Sequence, residues 1–235
     1  MELPPGKEYL SHIAYDSVIF GFSGTALKIL ILQYHNTGLY ALPGGFVRRD
    51  EDLSAAVKRG LRERTGLDNI YLEQFHAFGD LQRQDAEVMK IILAANGLDP
   101  GPGYFMLDRF ISIAYYALIN YEEVDPRPDE LSDSIDWYDI DRLPPLMLDH
   151  REIVDLALQT LRDNLDRKLI GVNLLPERFT MKELQQVYEA ILGEELRRTT
   201  FQRKMLSLGI LERHEKRYSG KAHRAPYLYS FIKRP

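Results

Sequence analysis

The sequence contains no cysteine and no long apolar run. The absence of cysteine from its 235 residues excludes a disulfide framework, a thiolate nucleophile and a zinc site with cysteine ligands. No apolar stretch approaches the roughly 18 residues that a membrane-spanning helix needs, and the first ten residues lack the apolar segment of a signal peptide. We therefore expect a cytoplasmic protein without a membrane partner.

Charge is distributed unevenly along the chain. Residues 1–165 carry 15 basic and 27 acidic side chains, a net charge of -12, whereas residues 166–235 carry 15 basic and 8 acidic side chains, a net charge of +7. This asymmetry predicts two domains, 1–165 and 166–235, with an anionic partner for the second. The alternative to an anionic partner is a basic surface that contacts only solvent.

Apolar runs alternate with helical patterns in the first 165 residues. The patterns predict strands at 15–22, 27–32, 70–77, 109–121 and 135–138, and helices at 53–65 and 150–165. The second helix is predicted to be amphipathic, with one apolar side formed by Ile153, Leu156, Ala157, Leu161 and Leu165. The strand at 109–121 is long and largely apolar, which is typical of a central strand. Strands interleaved with helices indicate an α/β (α+β) fold, a sandwich of helices around a mixed sheet.

Glycines and charged residues recur at fixed spacing within residues 44–67. Glu51 follows Gly45 by six residues, Arg59 follows Glu51 by eight, and Gly66 ends a helix-like run. This stretch resembles the Nudix box, a loop-helix-loop that in its family holds a divalent metal ion against a diphosphate. The resemblance implies a Nudix-type α/β/α sandwich.

The metal-binding half of this box is altered. Positions 60, 63 and 64 share one helix face, where the family places three carboxylates, but this chain has Gly60, Glu63 and Arg64. A guanidinium group does not ligate a metal ion and repels it. The resemblance therefore implies a protein that is not an enzyme, with no catalytic residue, no metal site and no required cofactor. If the frame is that of a Nudix box, restoring glutamate at positions 60 and 64 should return Mg²⁺ affinity, even without turnover. The vestigial box comprises Gly45, Glu51, Arg59, Gly60, Glu63, Arg64 and Gly66.

Two alternatives to a vestigial box remain open at this point. One is a working Mg²⁺-dependent hydrolase of a nucleoside diphosphate-linked substrate, which would combine Glu63 with Glu51 or Glu73. The other is an amphipathic helix that is flanked by glycines by chance.

A Nudix cleft without catalysis still offers a site for a phosphorylated ligand, because guanidinium groups bind phosphate bidentately. Arg109 is the best candidate, since it opens the predicted central strand beside an apparent insertion, residues 85–108. That insertion could border the pocket or a dimer interface. A solvated surface role is the alternative for each side chain. The ligand-binding candidates are Arg48, Arg49, Arg64, Asp80, Arg83 and Arg109.

The basic second part has the pattern of two helices and a hairpin. Thr180 and Glu183 fit a capping box for a helix that Gly193 ends. A second helix is predicted to start at a Thr199 or Thr200 cap, with Phe201, Met205 and Leu208 facing inward, and extended segments follow at 210–216 and 227–232. This layout is typical of a winged helix-turn-helix DNA-binding domain, and residues 197–235 carry 11 basic and 2 acidic side chains. The alternative interpretation is a winged domain that binds another protein instead of DNA. The DNA-binding candidates are Arg198, Thr199, Thr200, Gln202, Arg203, Arg217, Lys221, His223 and Arg224.

Taken together, the chain resembles the Nudix-related transcriptional regulators. The resemblance rests on the box, on Phe78-Gly79, on Arg109 before its strand, on residues 148–153 and on the motifs after Phe179. It implies a homodimeric repressor or activator that binds double-stranded operator DNA and senses an ADP-ribose-like nucleotide or a pentose-type sugar, in control of NAD or sugar metabolism. Residues 150–165 are the hypothesised lever between effector and DNA.

Overall fold

A mixed sheet of seven strands forms the first part of the described chain. The computed structural model describes residues 6–68, 70–83, 85–101, 103–166, 174–217 and 225–232. The strands are β1 (Tyr9–Phe22), β2 (Leu27–Tyr34), β3 (Tyr40–Ala41), β4 (Gly44–Arg48), β5 (Tyr71–Phe78), β6 (Ile111–Ile119) and β7 (Ser132–Asp139). β1 and β6 run parallel, with Val18 opposite Tyr116, and β2 and β5 flank them in antiparallel orientation. The predicted mixed sheet and the central position of β6 are confirmed.

Helices cover both faces of this sheet. They are α1 (Leu53–Thr65), α2 (Ala86–Ala95) and α3 (His150–Asn164). α1 packs on the face that carries Ile19 and Tyr115, and α3 packs on the face that carries Phe20 and Tyr116. Because successive strand residues point to opposite faces, neighbouring residues of β1 and β6 supply both layers. The predicted α/β/α sandwich is confirmed.

The described residues of the second part of the chain form a small three-stranded sheet with helices beside it. The elements are β8 (Phe179–Thr180), α4 (Met181–Leu192), α5 (Arg198–Ser207), β9 (Leu211–Lys216) and β10 (Tyr227–Phe231). The capping box is confirmed: Glu183 N donates to Thr180 Oγ1 at 3.2 Å, and Thr180 N donates to Glu183 Oε2 at 2.6 Å. β10 lies between β8 and β9. The winged helix layout is therefore present.

Three local predictions are wrong. α5 begins at Arg198, so Thr199 and Thr200 lie in its first turn and do not cap it. Leu208 is exposed, because it follows the helix where the chain turns into Gly209, although Phe201 and Met205 are buried as predicted. On α3, Leu156 is exposed and Val154 is buried instead, because position 156 lies one step off the stripe that faces the core.

α3 contacts both parts of the protein. Leu161 and Leu165 share a hydrophobic cluster with Leu184 and Tyr188 of α4, and Arg162 Nε donates to a backbone carbonyl of α4 at 2.7 Å. The contact gives the hypothesised lever a physical path from the large sheet to the winged domain. The boundary between residues 165 and 166 stays a prediction. Among the described helices, none is long and apolar enough to cross a membrane.

Candidate ligand pocket and nucleic-acid interface

The loop and helix of the Nudix-like box have the predicted geometry. Asp52 caps α1 by accepting from Ala55 N at 2.8 Å, and Gly66 ends the helix in the left-handed region at φ 72°. Arg59 Nη2 donates to Glu51 Oε1 at 2.7 Å and Arg59 Nε to Glu51 Oε2 at 3.1 Å. The Glu51 carboxylate also accepts from Arg48 N at 2.9 Å. The pair therefore ties the loop to the helix.

Replacing Glu51 with glutamine should remove a stabilisation that depends on pH. The hydrogen bond from Arg59 is the main cause that holds the pKa of Glu51 below its ordinary value, and hydrogen bonds to a charged group contribute about 1.5 to 3 kcal/mol. The contribution is fully present above the unfolded pKa, about 4.3, and is lost as pH falls through the lowered folded pKa. Urea unfolding should therefore separate wild type from Glu51→Gln at pH 7 and bring them together at acidic pH. An equal gap at both pH values would contradict the assignment.

Tyr15 fills the space beside Gly60, where the family has a carboxylate. A Cβ atom built on Gly60 would lie 2.2 Å from the Tyr15 hydroxyl oxygen and 3.1 Å from its Cζ. Burial raises the pKa of Tyr15 to about 12, so the hydroxyl is protonated at neutral pH. Position 60 has thus lost its carboxylate and also the room for one.

Arg64, at the second altered position, is held by an acid from a distant segment. Its Nη2 donates to Asp129 Oδ2 at 2.6 Å, and both side chains are largely buried. Glu63 is half-exposed and lies 3.6 Å from Arg59. A glycine, one paired cation and one exposed carboxylate do not fit a Mg²⁺ site, which requires several converging oxygen ligands.

The acids that a hydrolase would combine with Glu63 are engaged elsewhere. Glu73 accepts from Tyr71 Oη at 2.6 Å and from Tyr116 Oη at 2.8 Å. Tyr116 belongs to the sheet face that α3 covers, opposite α1. Glu51 is bound by Arg59. Glu73 therefore lies away from Glu63, whereas Glu51 and Glu63 both contact Arg59, whose guanidinium group lies where these two carboxylates would share a metal ion.

A cavity of about 760 Å³ opens beside the box, within the size range of small-molecule sites. One part of its wall is cationic, with Arg48, Arg59 and Arg64. Another part is aromatic and includes Phe46 and Phe110, whose ring centroids lie 5.1 Å apart. The cavity therefore offers guanidinium groups for an anion and aromatic surface for a planar group.

The insertion forms part of the wall of this cavity. Two ends of the insertion line the space: its start, where α2 begins, and its last residues before β6. The lining residues are Asp85, Ala86 and Met89 at the start and Met106, Leu107 and Asp108 at the end. Its role in a pocket is therefore supported by the structure, whereas its role in a dimer interface stays untested.

The structure brings only some of the predicted ligand contacts to the cavity. Arg48, Arg64 and Arg83 line it, but Arg49, Asp80 and Arg109 do not. Arg49 Nε donates to a backbone carbonyl instead, at 2.8 Å. Arg109 is displaced from the wall because its neighbour Phe110 takes that place, and adjacent residues of an extended chain point to opposite sides.

Arg83 is buried between the cavity and α3 and forms hydrogen bonds with two acidic side chains. Its Nε and Nη2 donate to the two oxygens of Asp149 at 2.8 and 3.1 Å, and Nη2 also donates to Asp16 Oδ2 at 3.3 Å. The first residue of α3, His150, completes this end of the cavity. Asp16 and His150 were missed by sequence reasoning, although a lone acid within the apolar run of β1 is a signal that could have identified Asp16.

The candidate DNA-binding side chains of α5 face outward. Arg198, Thr199, Thr200 and Arg203 are exposed, and Gln202 is half-buried. In the described part of the chain, no side chain caps the first amide groups of α5, so these donors remain for an anion such as a phosphate.

The wing is described only in part. Arg217 is exposed and its Nη1 donates to Glu183 Oε1 at 3.0 Å. Lys221, His223 and Arg224 lie outside the described residues. Their contacts with DNA stay predictions.

Comparisons with known proteins agree with both halves of this description. The sequence matches the NUDIX domain family over residues 10–157 and the NrtR DNA-binding winged helix domain over residues 171–231. It is 31% identical over 224 residues to the ADPR responsive transcriptional repressor NtrR of Acinetobacter baylyi, with 92% of this chain and 80% of that protein covered.

Two solved structures resemble the fold. Shewanella oneidensis NrtR complexed with a 27mer DNA superposes with a TM-score of 0.71 at 27% identity, covering 94% of this chain and 93% of that chain. The NUDIX domain of the same Shewanella protein complexed with ADP ribose gives a TM-score of 0.50 at 25% identity, covering 68% and 94%. The chain therefore belongs to the family of Nudix-related regulators that join a Nudix domain to an NrtR-type DNA-binding winged helix domain.

Proposed function

We propose that this protein is a transcriptional repressor that responds to ADP-ribose and does not hydrolyse it. The observation that carries the proposal is a Nudix cleft that remains open as a large cavity while both altered carboxylate positions are filled, one by Tyr15 beside Gly60 and one by the Arg64–Asp129 pair. Such a site retains binding surface but lacks the ligands that would hold a catalytic metal ion.

The chemistry of the cavity favours a nucleotide over a simple sugar. The exposed guanidinium group of Arg48 suits the diphosphate, and the aromatic wall at Phe46 and Phe110 suits the adenine ring. A pentose alone would leave the aromatic surface without a partner. The Acinetobacter relative is named as ADPR responsive, which supports the same choice.

The winged domain, proposed as residues 166–235, supplies the DNA contacts. α5 presents Arg198 and Arg203 to solvent, and we assign it to the major groove, with the uncapped helix start and the wing directed to phosphates. The protein would act as a homodimer on two half-sites. α3 supports coupling, because it contacts the cavity through His150 and α4 through Leu161.

Fluorescence anisotropy with the DNA upstream of the protein's own gene tests the proposal. At a stated salt concentration, the protein should bind this DNA more tightly than unrelated DNA, and ADP-ribose should change the affinity. Equal affinity for both DNAs would contradict the proposed role as a transcriptional regulator. Mg²⁺-dependent turnover of ADP-ribose that disappears in Glu63→Gln would instead establish the hydrolase.

Replacing Arg203 with alanine should weaken specific DNA binding by about 1 to 3 kcal/mol, the range for one good base contact. Binding to unrelated DNA should change much less, because phosphate contacts dominate there. Arg62→Ala is the matched control, since Arg62 is an exposed arginine of α1. A loss that is equal for both DNAs would assign Arg203 to the phosphate backbone.

A further inference from the structure

The buried end of the cavity contains a polar pair that neither the box nor the cationic wall explains. His150 and Asp16 both line the cavity, although each is more than nine-tenths buried. His150 Nε2 lies 3.9 Å from Asp16 Oδ1. This distance is too long for a direct hydrogen bond, so the two atoms face each other across a gap.

The backbone determines which ring nitrogen of His150 carries the proton. Leu42 N donates to His150 Nδ1 at 2.9 Å, so Nδ1 is an acceptor and carries no proton. In the neutral ring the proton is therefore on Nε2. His150 consequently presents a fixed N–H donor to the gap.

Asp16 presents the complementary acceptor. Its Oδ2 is occupied, since it accepts from Ser112 Oγ at 2.5 Å and from Arg83 Nη2 at 3.3 Å. Among the described residues, no hydrogen bond reaches Oδ1. Gly44 keeps the space beside Oδ1 open, because a Cβ atom on Gly44 would lie 2.7 Å from that oxygen.

We propose that Asp16 and His150 form a subsite for a sugar hydroxyl of the effector, with Arg83 as the positioning residue that orients Asp16. A hydroxyl oxygen about 2.8 Å from each atom accepts from His150 Nε2 and donates to Asp16 Oδ1. A hydroxyl is suited to this pair because it both donates and accepts. The subsite rests on the proposed function and makes these two residues determinants of specificity for a ribose-bearing ligand.

The variant His150→Asn tests the donor alone. The asparagine Oδ1 stands in for Nδ1 and retains the acceptor for Leu42 N, whereas nothing replaces Nε2. Calorimetric titrations would compare three probes: ADP-ribose, ADP, which lacks the terminal ribose, and an ADP-ribose analogue without the 2′- and 3′-hydroxyls of the adenosine ribose. His76→Asn is the control, because His76 is exposed on β5 and does not line the cavity.

We expect His150→Asn to weaken ADP-ribose binding about five- to tenfold, the loss of one hydrogen bond, and to leave the affinity for one of the two truncated probes unchanged. That probe identifies the ribose whose hydroxyl occupies the subsite. An unchanged affinity for ADP-ribose, or an equal loss for all three probes, would overturn the subsite. Asp16→Asn replaces the free acceptor with an amide and should change the affinities for the three probes in the same way. It is the second variant to test if His150→Asn does not fold.

Failure of the subsite and failure of the proposed function give different results. Wild-type protein that binds ADP-ribose while both variants bind it equally well would reject the subsite alone. Wild-type protein that binds none of the three probes would reject the effector and, with it, the subsite.

Discussion

Replacing Gly60 with alanine is expected to destabilise the folded protein by about 1 to 3 kcal/mol, the usual cost of overpacking. In an ordinary helix interior, the same change would stabilise by about 1 kcal/mol. The sign reverses here because the new Cβ atom would lie 2.2 Å from the Tyr15 hydroxyl oxygen, and both residues are buried. Urea unfolding of the two proteins measures the difference.

The same contact predicts a specific rescue. Tyr15→Phe removes the clashing oxygen and leaves Cζ as the nearest atom, at 3.1 Å, so Gly60→Ala should cost much less in that background. The coupling in this double-mutant cycle should lie between about 0.5 and 3 kcal/mol. Gly101→Ala is a control with open space around its Cβ position. Additive effects of Tyr15→Phe and Gly60→Ala would show that the contact has no energetic role.

This contact revises the expectation that restoring two carboxylates returns Mg²⁺ affinity. A glutamate at position 60 meets Tyr15, and a glutamate at position 64 faces Asp129 without the cation that now pairs with it. We therefore expect the double variant to gain Mg²⁺ affinity only when Tyr15 and Asp129 are replaced as well.

Replacing Arg83 with methionine is expected to lower the free energy of unfolding by about 3 to 5 kcal/mol, the cost of breaking a buried ion pair. The change would leave Asp16 and Asp149 facing one another without a cation, and all three side chains are more than four-fifths buried. Arg83→Lys should fall between the two proteins, because lysine keeps the charge but not the bidentate contact.

A second substitution separates charge from packing. Adding Asp149→Asn to Arg83→Met removes one of the two uncompensated carboxylates, so part of the lost stability should return. Urea unfolding at neutral pH measures all four proteins. If Arg83→Met lowers the free energy of unfolding by less than about 1 kcal/mol, the ion pairs of Arg83 are as weak as pairs on the surface. That result would contradict the effect expected from their burial.

The features that depend on neighbours along the chain were predictable from the residues alone. α1 spans the predicted residues, because Asp52 and Gly66 supply its two ends. The capping box of α4 needs only Thr180 and Glu183, three residues apart. The family resemblance and the sandwich fold followed from similarly local spacing and from apolar periodicity.

The contacts around the cavity were not predictable in this way, because they depend on the folded chain. Tyr15 meets Gly60, Arg64 pairs with Asp129, and Leu42 sets the proton position of His150. Each of these contacts joins segments that are far apart in the sequence, and each depends on the register and packing of strands around α1 and α3. Periodicity shows which face of an element is buried, but it does not show which distant side chain occupies that face, so the contacts at positions 60 and 64 and the proposed sugar subsite required the folded chain.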